Sequence, residues 1–370
     1  MVKSIRTAVV GLGKMGLSHF AIFNAHPDVD AVICDQAGFM LDVLGKNLAT
    51  PIHRDFDSLL ENEPLDAVVI ATPSRLHAPM VRAALEKDIH VFCEKPFCLD
   101  WQDSVALADL AEARGLVNQV GYHYRHVGAF REMKRILDSG ALGTVTHVQA
   151  EAYGPVILRP ARKTWRSKKS EGGGCLYDYA AHPINLLNWF FGAPAHVSGS
   201  SMDSVFSEDI DDQVMSALRW KDGPAALLSV NWCDESHRKM ATKISMIGTN
   251  GRLYADRQEC QLYLRDPVAA LPEYEKGWSV KYTTELTEDT WFYLRGEEYS
   301  AQADDFVSAV RAAKDGKEIP AATNSFRSAA ETDRTMAMVI ENTETGNAVG
   351  EPTASKKPAT RGKRSWLMRT

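Results

Sequence analysis

Residues 5–16 read Ile5-Arg6-Thr7-Ala8-Val9-Val10-Gly11-Leu12-Gly13-Lys14-Met15-Gly16. A β-branched run ends in glycine, G-x-G-x-x-G follows it, and residues 15–24 carry a helical pattern. Glycines spaced in this way also serve ordinary turns, so the context decides. A second strand-like run, 29–34, leads to Asp35, about 20 residues beyond the glycines, the position expected in a dinucleotide-binding strand–turn–helix unit. Gly11 permits the tight turn, Gly13 lets the backbone approach a pyrophosphate, and Gly16 lets the helix pack on the strand. The first helical residues, Lys14 and Met15, offer N–H groups and a partial positive charge to phosphates. Asp35 suits a ribose hydroxyl and repels a 2′-phosphate, and Gln36 adds no compensating charge, so NAD is expected over NADP.

Outward from this unit, strand-like runs recur at 65–71, 90–93 and 116–120, with helical patterns at 77–87 and 104–114 between them and Gly115 as a helix stop. Near-continuous apolar strands alternating with helices imply a parallel sheet covered on both faces. The fold class is therefore α/β, with a doubly wound parallel Rossmann sheet in residues 1–121. Beyond Gly121 the pattern changes. A helix is expected over 129–139 and a strand over 144–153, followed by a loop rich in Arg, Lys and Gly over 158–174 and a helix over 176–191. Strands then recur from 197 to 255, including 214–220 and 225–232, and helices close the domain at 301–314 and 325–341, the latter capped by Asn324. Hairpin spacing predicts an α+β domain over 122–345 with a large, mostly antiparallel open sheet. Residues 346–370 read as a basic tail.

Composition excludes several classes of function. The chain has 370 residues, 45% hydrophobic and 24% charged, with a formal net charge of −6, which argues against a nucleic-acid surface. No stretch has the unbroken apolar length of a membrane span, and the apolar run after Lys3 and Arg6 is too short for a signal peptide. A cytoplasmic protein is expected. The six cysteines lack Cys-x-x-Cys spacing and read as reduced thiols, and Tyr122-His123-Tyr124-Arg125-His126 lacks the further ligands of a zinc site, so no metal is expected.

Two further stretches carry chemistry. Thr72-Pro73-Ser74 and His77 follow one strand and Glu94-Lys95-Pro96 follow another, at the carboxyl ends where open α/β sheets bind ligands. Gly172-Gly173-Gly174-Cys175-Leu176-Tyr177-Asp178-Tyr179-Ala180-Ala181-His182 opens a helix on which Asp178, His182 and Asn185 share a stripe. A histidine with a pKa near working pH suits the general base for an alcohol, and a lysine suits a developing alkoxide or passes the proton itself. Asp178 either orients the imidazole or contacts a substrate hydroxyl. Arg125, Trp165, Arg166 and Asp212 are candidates for the pocket wall, and Tyr122, Tyr124 and Trp165 offer flat faces for stacking on a ligand.

In order along the chain, these motifs resemble the Gfo/Idh/MocA oxidoreductases: the G-L-G-K-M-G glycines with His19 after them, A-T-P-x-x-x-H at 71–77, E-K-P at 94–96, Gly121-Tyr122 with Arg125, and G-G-G-x-x-x-D-x-x-x-H at 172–182. The resemblance implies Lys95, Asp178 and His182 as the catalytic group. It also implies an open C-terminal-domain sheet used for oligomerisation, here expected to give a homodimer or homotetramer. Asn185 departs from the family, where Asp is frequent, and the tail lies outside its pattern. The expected activity is hydride transfer between NAD and a secondary alcohol or ketone of a sugar, inositol or related polyol. The alternatives are a nucleotide-linked amino-sugar 3-dehydrogenase, an NAD-dependent glycosidase without net redox change, and a ligand-sensing regulator, against which the joint presence of Lys95, Asp178 and His182 argues.

Overall fold

The computed structural model describes residues 4–37, 41, 50–156 and 165–350. Strands β1 (Ile5–Val10), β2 (Val29–Cys34), β3 (Ile52–His53), β4 (Ala67–Ile70), β5 (His90–Cys93) and β6 (Asn118–Val120) form a parallel sheet in the order β3-β2-β1-β4-β5-β6. Val9 lies beside Ile33 on one side and Val69 on the other. Every residue of β4 is buried, as expected of a central strand covered on both faces. Helices α1 (Lys14–Ala25), α2 (Phe56–Asn62), α3 (His77–Glu86) and α4 (Trp101–Ala113) link the strands. Asp55 and Asp100 cap α2 and α4 by accepting from the backbone N–H of Ser58 and Gln102. The strand order reverses between β1 and β4, which opens a crevice at their carboxyl ends.

The second layer is built from α5 (Gly128–Asp138), β7 (Val145–Tyr153), α6 (Ala181–Phe191), β8 (His196–Asp203), β9 (Gln213–Arg219), β10 (Ala225–Asn231), β11 (Ala241–Gly248), β12 (Gly251–Ala255), β13 (Glu259–Leu264) and β14 (Gly277–Tyr282). With a short β15 (Val349–Gly350) these strands form a sheet in the order β14-β13-β12-β11-β7-β10-β9-β8-β15, antiparallel except where β7 meets β10. Burial alternates along the strands. Val214, Leu228, Ile244 and Met246 face the core, while Met215, Leu227 and Ile247 face outward.

Several expectations need correction. The strands continue past residue 255 into β13 and β14. The helix expected at 301–314 runs Glu297–Lys314 (α7) and packs on the first sheet, not the second: Phe306 meets Phe23 and Phe92 edge-on at 6.3 and 5.8 Å, in a cluster with Val9 and Ile33. The last helix, α8 (Phe326–Thr345), also returns to the first domain, where Phe326 stacks on Phe97 at 4.2 Å. Ser325, not Asn324, caps α8, because its side chain accepts from Ser328 N; Asn324 instead donates to Tyr122 O. Apolar periodicity shows that a helix has a buried face but not which sheet receives it. The segment assigned to the tail begins with ordered structure: Gly346, at φ +68°, ends α8, and Val349 pairs with Val197. The basic residues 351–370 lie outside the described residues. Among the described residues no helix is long and apolar enough to cross a membrane.

Candidate active site

The glycine turn has the geometry its spacing requires. Gly11 sits at φ +88°, and a Cβ there would come within 2.8 Å of Ala71 O. A Cβ on Gly16 would strike Gly11 O at 1.6 Å, so the helix lies directly against the turn. Gly13 has open space where a side chain would be and precedes α1 with no side-chain cap, leaving the first N–H groups of the helix available. Asp35 follows β2, and its carboxylate accepts from Ala37 N at 2.6 Å and from Leu12 N. Gly11, Gly13, Lys14, Met15 and Asp35 line one cavity of about 650 Å³ together with Thr72, Pro73, Ser74, Glu94 and Lys95. This cradle fits a dinucleotide.

The same cavity reaches the chemical group. Gly174, at φ +116°, has no room for a Cβ beside Asp211, whose Oδ2 accepts from Leu176 N at 2.6 Å and starts the next helix. That helix opens with a π turn over Leu176–Ala180, an irregularity common at functional sites. The turn buries Asp178 between two cations: Lys95 Nζ donates to Asp178 O at 2.8 Å and Oδ1 at 3.0 Å, and Arg166 Nε donates to Oδ2 at 2.8 Å. Burial alone would raise the Asp178 carboxyl, but Lys95 and Arg166 hold it down at about 2. Arg166 in turn lies over the Trp165 ring at 4.6 Å. Just before Lys95, Glu94 Oε2 accepts from the Lys95 backbone N–H at 3.1 Å while its Oε1 meets His19 Nε2 at 2.6 Å.

His182 is buried at the cavity wall, with ring centroids of Tyr124, His123 and Tyr122 at 4.9, 5.1 and 6.2 Å, and its Nδ1 has no partner among the described residues. Desolvation, then Lys95 and Arg257, push its pKa well below 6.5. This corrects two expectations. The imidazole does not titrate near working pH, and Asp178 does not orient it, since both carboxylate oxygens face cations.

Lys95, Asp178, His182, Tyr124, Trp165 and Arg166 thus share the cavity with the cofactor-side residues. Other candidates lie elsewhere. Arg125 donates to Asn185 Oδ1 at 2.8 Å and to Thr323 O at 2.8 Å, and Asn185 Nδ2 donates to Thr332 at 3.1 Å, so this pair ties α6 to α8 behind the cavity. Burial lowers Arg125 to about 10. The neutral amide at 185 is the partner of that guanidinium, not a substrate contact. Tyr122 is buried outside the cavity wall. His77 bridges Pro96 O (2.9 Å) and Thr72 O (3.0 Å), fastening two site loops to each other. Asp212 gathers Val205, Phe206 and Ser207 N–H groups and Trp232 Nε1 within 2.8 Å, and organises its own loop.

Sequence reading missed His123, Lys239, Arg257, Arg295 and Tyr299, which also line the cavity. They come from separate segments without a motif. The one available signal was His123, inside the stretch already considered for zinc.

Residues 5–122 match the model described as "Oxidoreductase family, NAD-binding Rossmann fold", and residues 130–254 match the "GFO/IDH/MocA C-terminal domain". The chain is 25% identical over 276 residues to 2,7-anhydro-N-acetylneuraminate hydratase of Mediterraneibacter gnavus, spanning 70% of this chain and 72% of the relative. It is 26% identical over 300 residues to levoglucosan dehydrogenase of Pseudarthrobacter phenanthrenivorans, spanning 70% and 76%. A structure of levoglucosan dehydrogenase in complex with NADH and levoglucosan superposes with a TM-score of 0.82 at 22% identity, covering 95% of this chain and 100% of that one. GenD2 from gentamicin A biosynthesis in complex with NAD gives 0.76 at 26% identity, covering 95% and 98%.

Proposed function

Because the chain belongs to the Gfo/Idh/MocA family of NAD-binding oxidoreductases, we propose that it moves a hydride between NAD and a secondary alcohol or ketone of a sugar, inositol or related polyol. The observation that carries this reading is the single cavity that joins the glycine turn and Asp35 to Lys95, Asp178 and His182. Gly11, Gly13, Lys14, Met15 and Asp35 would hold NAD, which when bound would supply the hydride acceptor or donor. Lys95, fixed by Asp178, presents an ammonium donor to the reacting oxygen and stabilises the alkoxide. His182 is neutral and accepts the hydroxyl proton. Lys95 as the proton carrier is the alternative division of the same work.

The test is a screen with NAD against inositols, free aldoses and nucleotide sugars, read as NADH absorbance. With a turned-over substrate in hand, Lys95→Ala and His182→Ala should each lower kcat by about 10²–10⁴, while His182→Ala still binds NADH. Near-native turnover in either variant removes the assigned role. A second reading has specific support, since one relative is named as a hydratase, a reaction without net redox change. Product formation without net NADH would select it.

The outward face of the second sheet exposes Met215, Leu227, Ile247, Trp278, Val280 and Tyr282. This array supports a homo-oligomer built through that face.

A further inference from the structure

The charge of the cavity narrows the substrate beyond "a sugar". Around the chemical group the wall carries Lys95, Arg166, Lys239, Arg257 and Arg295, against the carboxylates Glu94 and Asp178. One carboxylate, Asp178, serves both Lys95 and Arg166. Arg257 is matched by Glu298 beneath it. Arg295 and Lys239 have no carboxylate partner among the described residues, and both are exposed to the cavity side of the fold.

The two arginines close on the reacting centre. Arg257 lies over the Tyr124 ring at 5.8 Å, and Arg295 lies over Tyr299 at 5.4 Å. Tyr124 and Tyr299 flank His123 at 4.6 and 4.5 Å, and His123 abuts His182 at 5.1 Å. Arg295 itself is held at φ +70°, in the left-handed region that non-glycine residues rarely adopt. Gly296 after it, at φ +149°, gives the bend that opens α7. A strained arginine over an aromatic ring at a cavity wall is placed, not incidental. After desolvation, Lys95 and Arg257 lower both imidazoles below the ordinary range, and Arg295 adds to the lowering of His123. An oxidised nicotinamide would add one more positive charge to this site. A neutral polyol leaves the excess uncompensated in a partly desolvated cavity, whereas a substrate carrying an acid group neutralises it.

Resting on the dehydrogenase reading above, we infer that the substrate is an anionic sugar or polyol whose carboxylate or phosphate is received by the unmatched cations Arg295 and Lys239. The reacting hydroxyl of the same molecule then faces Lys95 and His182.

The test uses the full chain loaded with NADH, whose retention is measured first by fluorescence. Binding is then measured calorimetrically for a panel of hexuronates, each against its neutral hexuronamide, and for D-glucose 6-phosphate against D-glucose. The expected result is at least about tenfold tighter binding of one acid than of its neutral partner (about 1.4 kcal/mol), with that preference lost in Arg295→Met or Lys239→Met. The hexuronate arm and the phosphate arm tell the two acid groups apart. Equal binding of acid and neutral forms, or no binding of any acid, overturns the inference. So does an acid preference that survives in both variants. Loss of NADH affinity in the variants with no change in acid preference assigns these cations to the cofactor's phosphates and overturns it too. A protein that binds NADH and an acid sugar but never changes the redox state of NAD fails the dehydrogenase reading and leaves the anionic-ligand inference standing.

Discussion

At the residue scale the most consequential group is His182. A histidine whose pKa is depressed by burial keeps its acceptor lone pair to lower pH than a solvated one. Its protonation therefore begins to inhibit only well below pH 6.5. The acid limb of kcat/KM, which reports the free enzyme, should accordingly lie well below pH 6.5. A limb at about 6.5 that disappears in His182→Gln would show that the ring is neither desolvated nor crowded by Lys95 and Arg257 in solution. Asp35 makes the second residue-scale prediction. Its carboxylate is anchored by Leu12 N and Ala37 N, so it cannot swing away from a 2′-phosphate without giving up those bonds. NAD should be preferred over NADP in kcat/KM, and Asp35→Ser should narrow the gap. Equal or better use of NADP by the unaltered protein refutes the assignment.

At the element scale the loop after β5 depends on a helix from the far end of the chain. Asp333 on α8 accepts from Cys98 N at 3.0 Å and from Ser104 Oγ at 2.6 Å, which pins the segment just past Lys95-Pro96. Burial raises this carboxyl to about 7, and the hydrogen bonds it accepts offset only part of that rise. In the unfolded chain it titrates near 3.9. Between those values the folded state holds a proton that the unfolded state has released, so stability falls as pH rises from about 4 to 7 and levels off above. The slope from this group approaches about 1.4 kcal/mol per pH unit. Denaturant unfolding from pH 5 to pH 8 should show that decline in the parent protein and a flatter profile in Asp333→Asn. Identical profiles would mean that Asp333 is ionised within the fold.

At the scale of the whole molecule, α7 and α8 return from the second domain to the first, so the cavity has walls from both ends of the chain. Tyr299 and Arg295 reach the site only because Phe306 and Val310 dock α7 on the parallel sheet. The outward sheet face makes a prediction about assembly. Light scattering should report an oligomer, and Leu227→Lys combined with Trp278→Lys should shift the mass towards the monomer, since burying two unpaired ammonium groups at an interface is costly. An oligomer of unchanged mass places the contact elsewhere, and a monomeric parent protein removes the proposal.

The nucleotide turn was legible because its physics is local. Gly11, Gly13 and Gly16 are set by steric contacts within one strand–turn–helix unit, and Asp35 lies one strand away. That Lys95, Asp178 and His182 would meet at one cavity was legible for a similar reason, since each closes a strand or opens a helix inside a compact motif. The polar stripe misled at Asn185, because helical spacing places a residue on a face without saying whether that face meets a cavity or a buried arginine such as Arg125. Arg257, Arg295 and Tyr299 were not legible at all, and His123 only as part of the stretch considered for zinc. They converge from three separated segments, and only the docking of α7 brings them together. The titration of His182 was likewise beyond reach of the sequence. Residue type sets the ordinary pKa of an imidazole, but desolvation and neighbouring charges decide its value in place, and those are properties of packing.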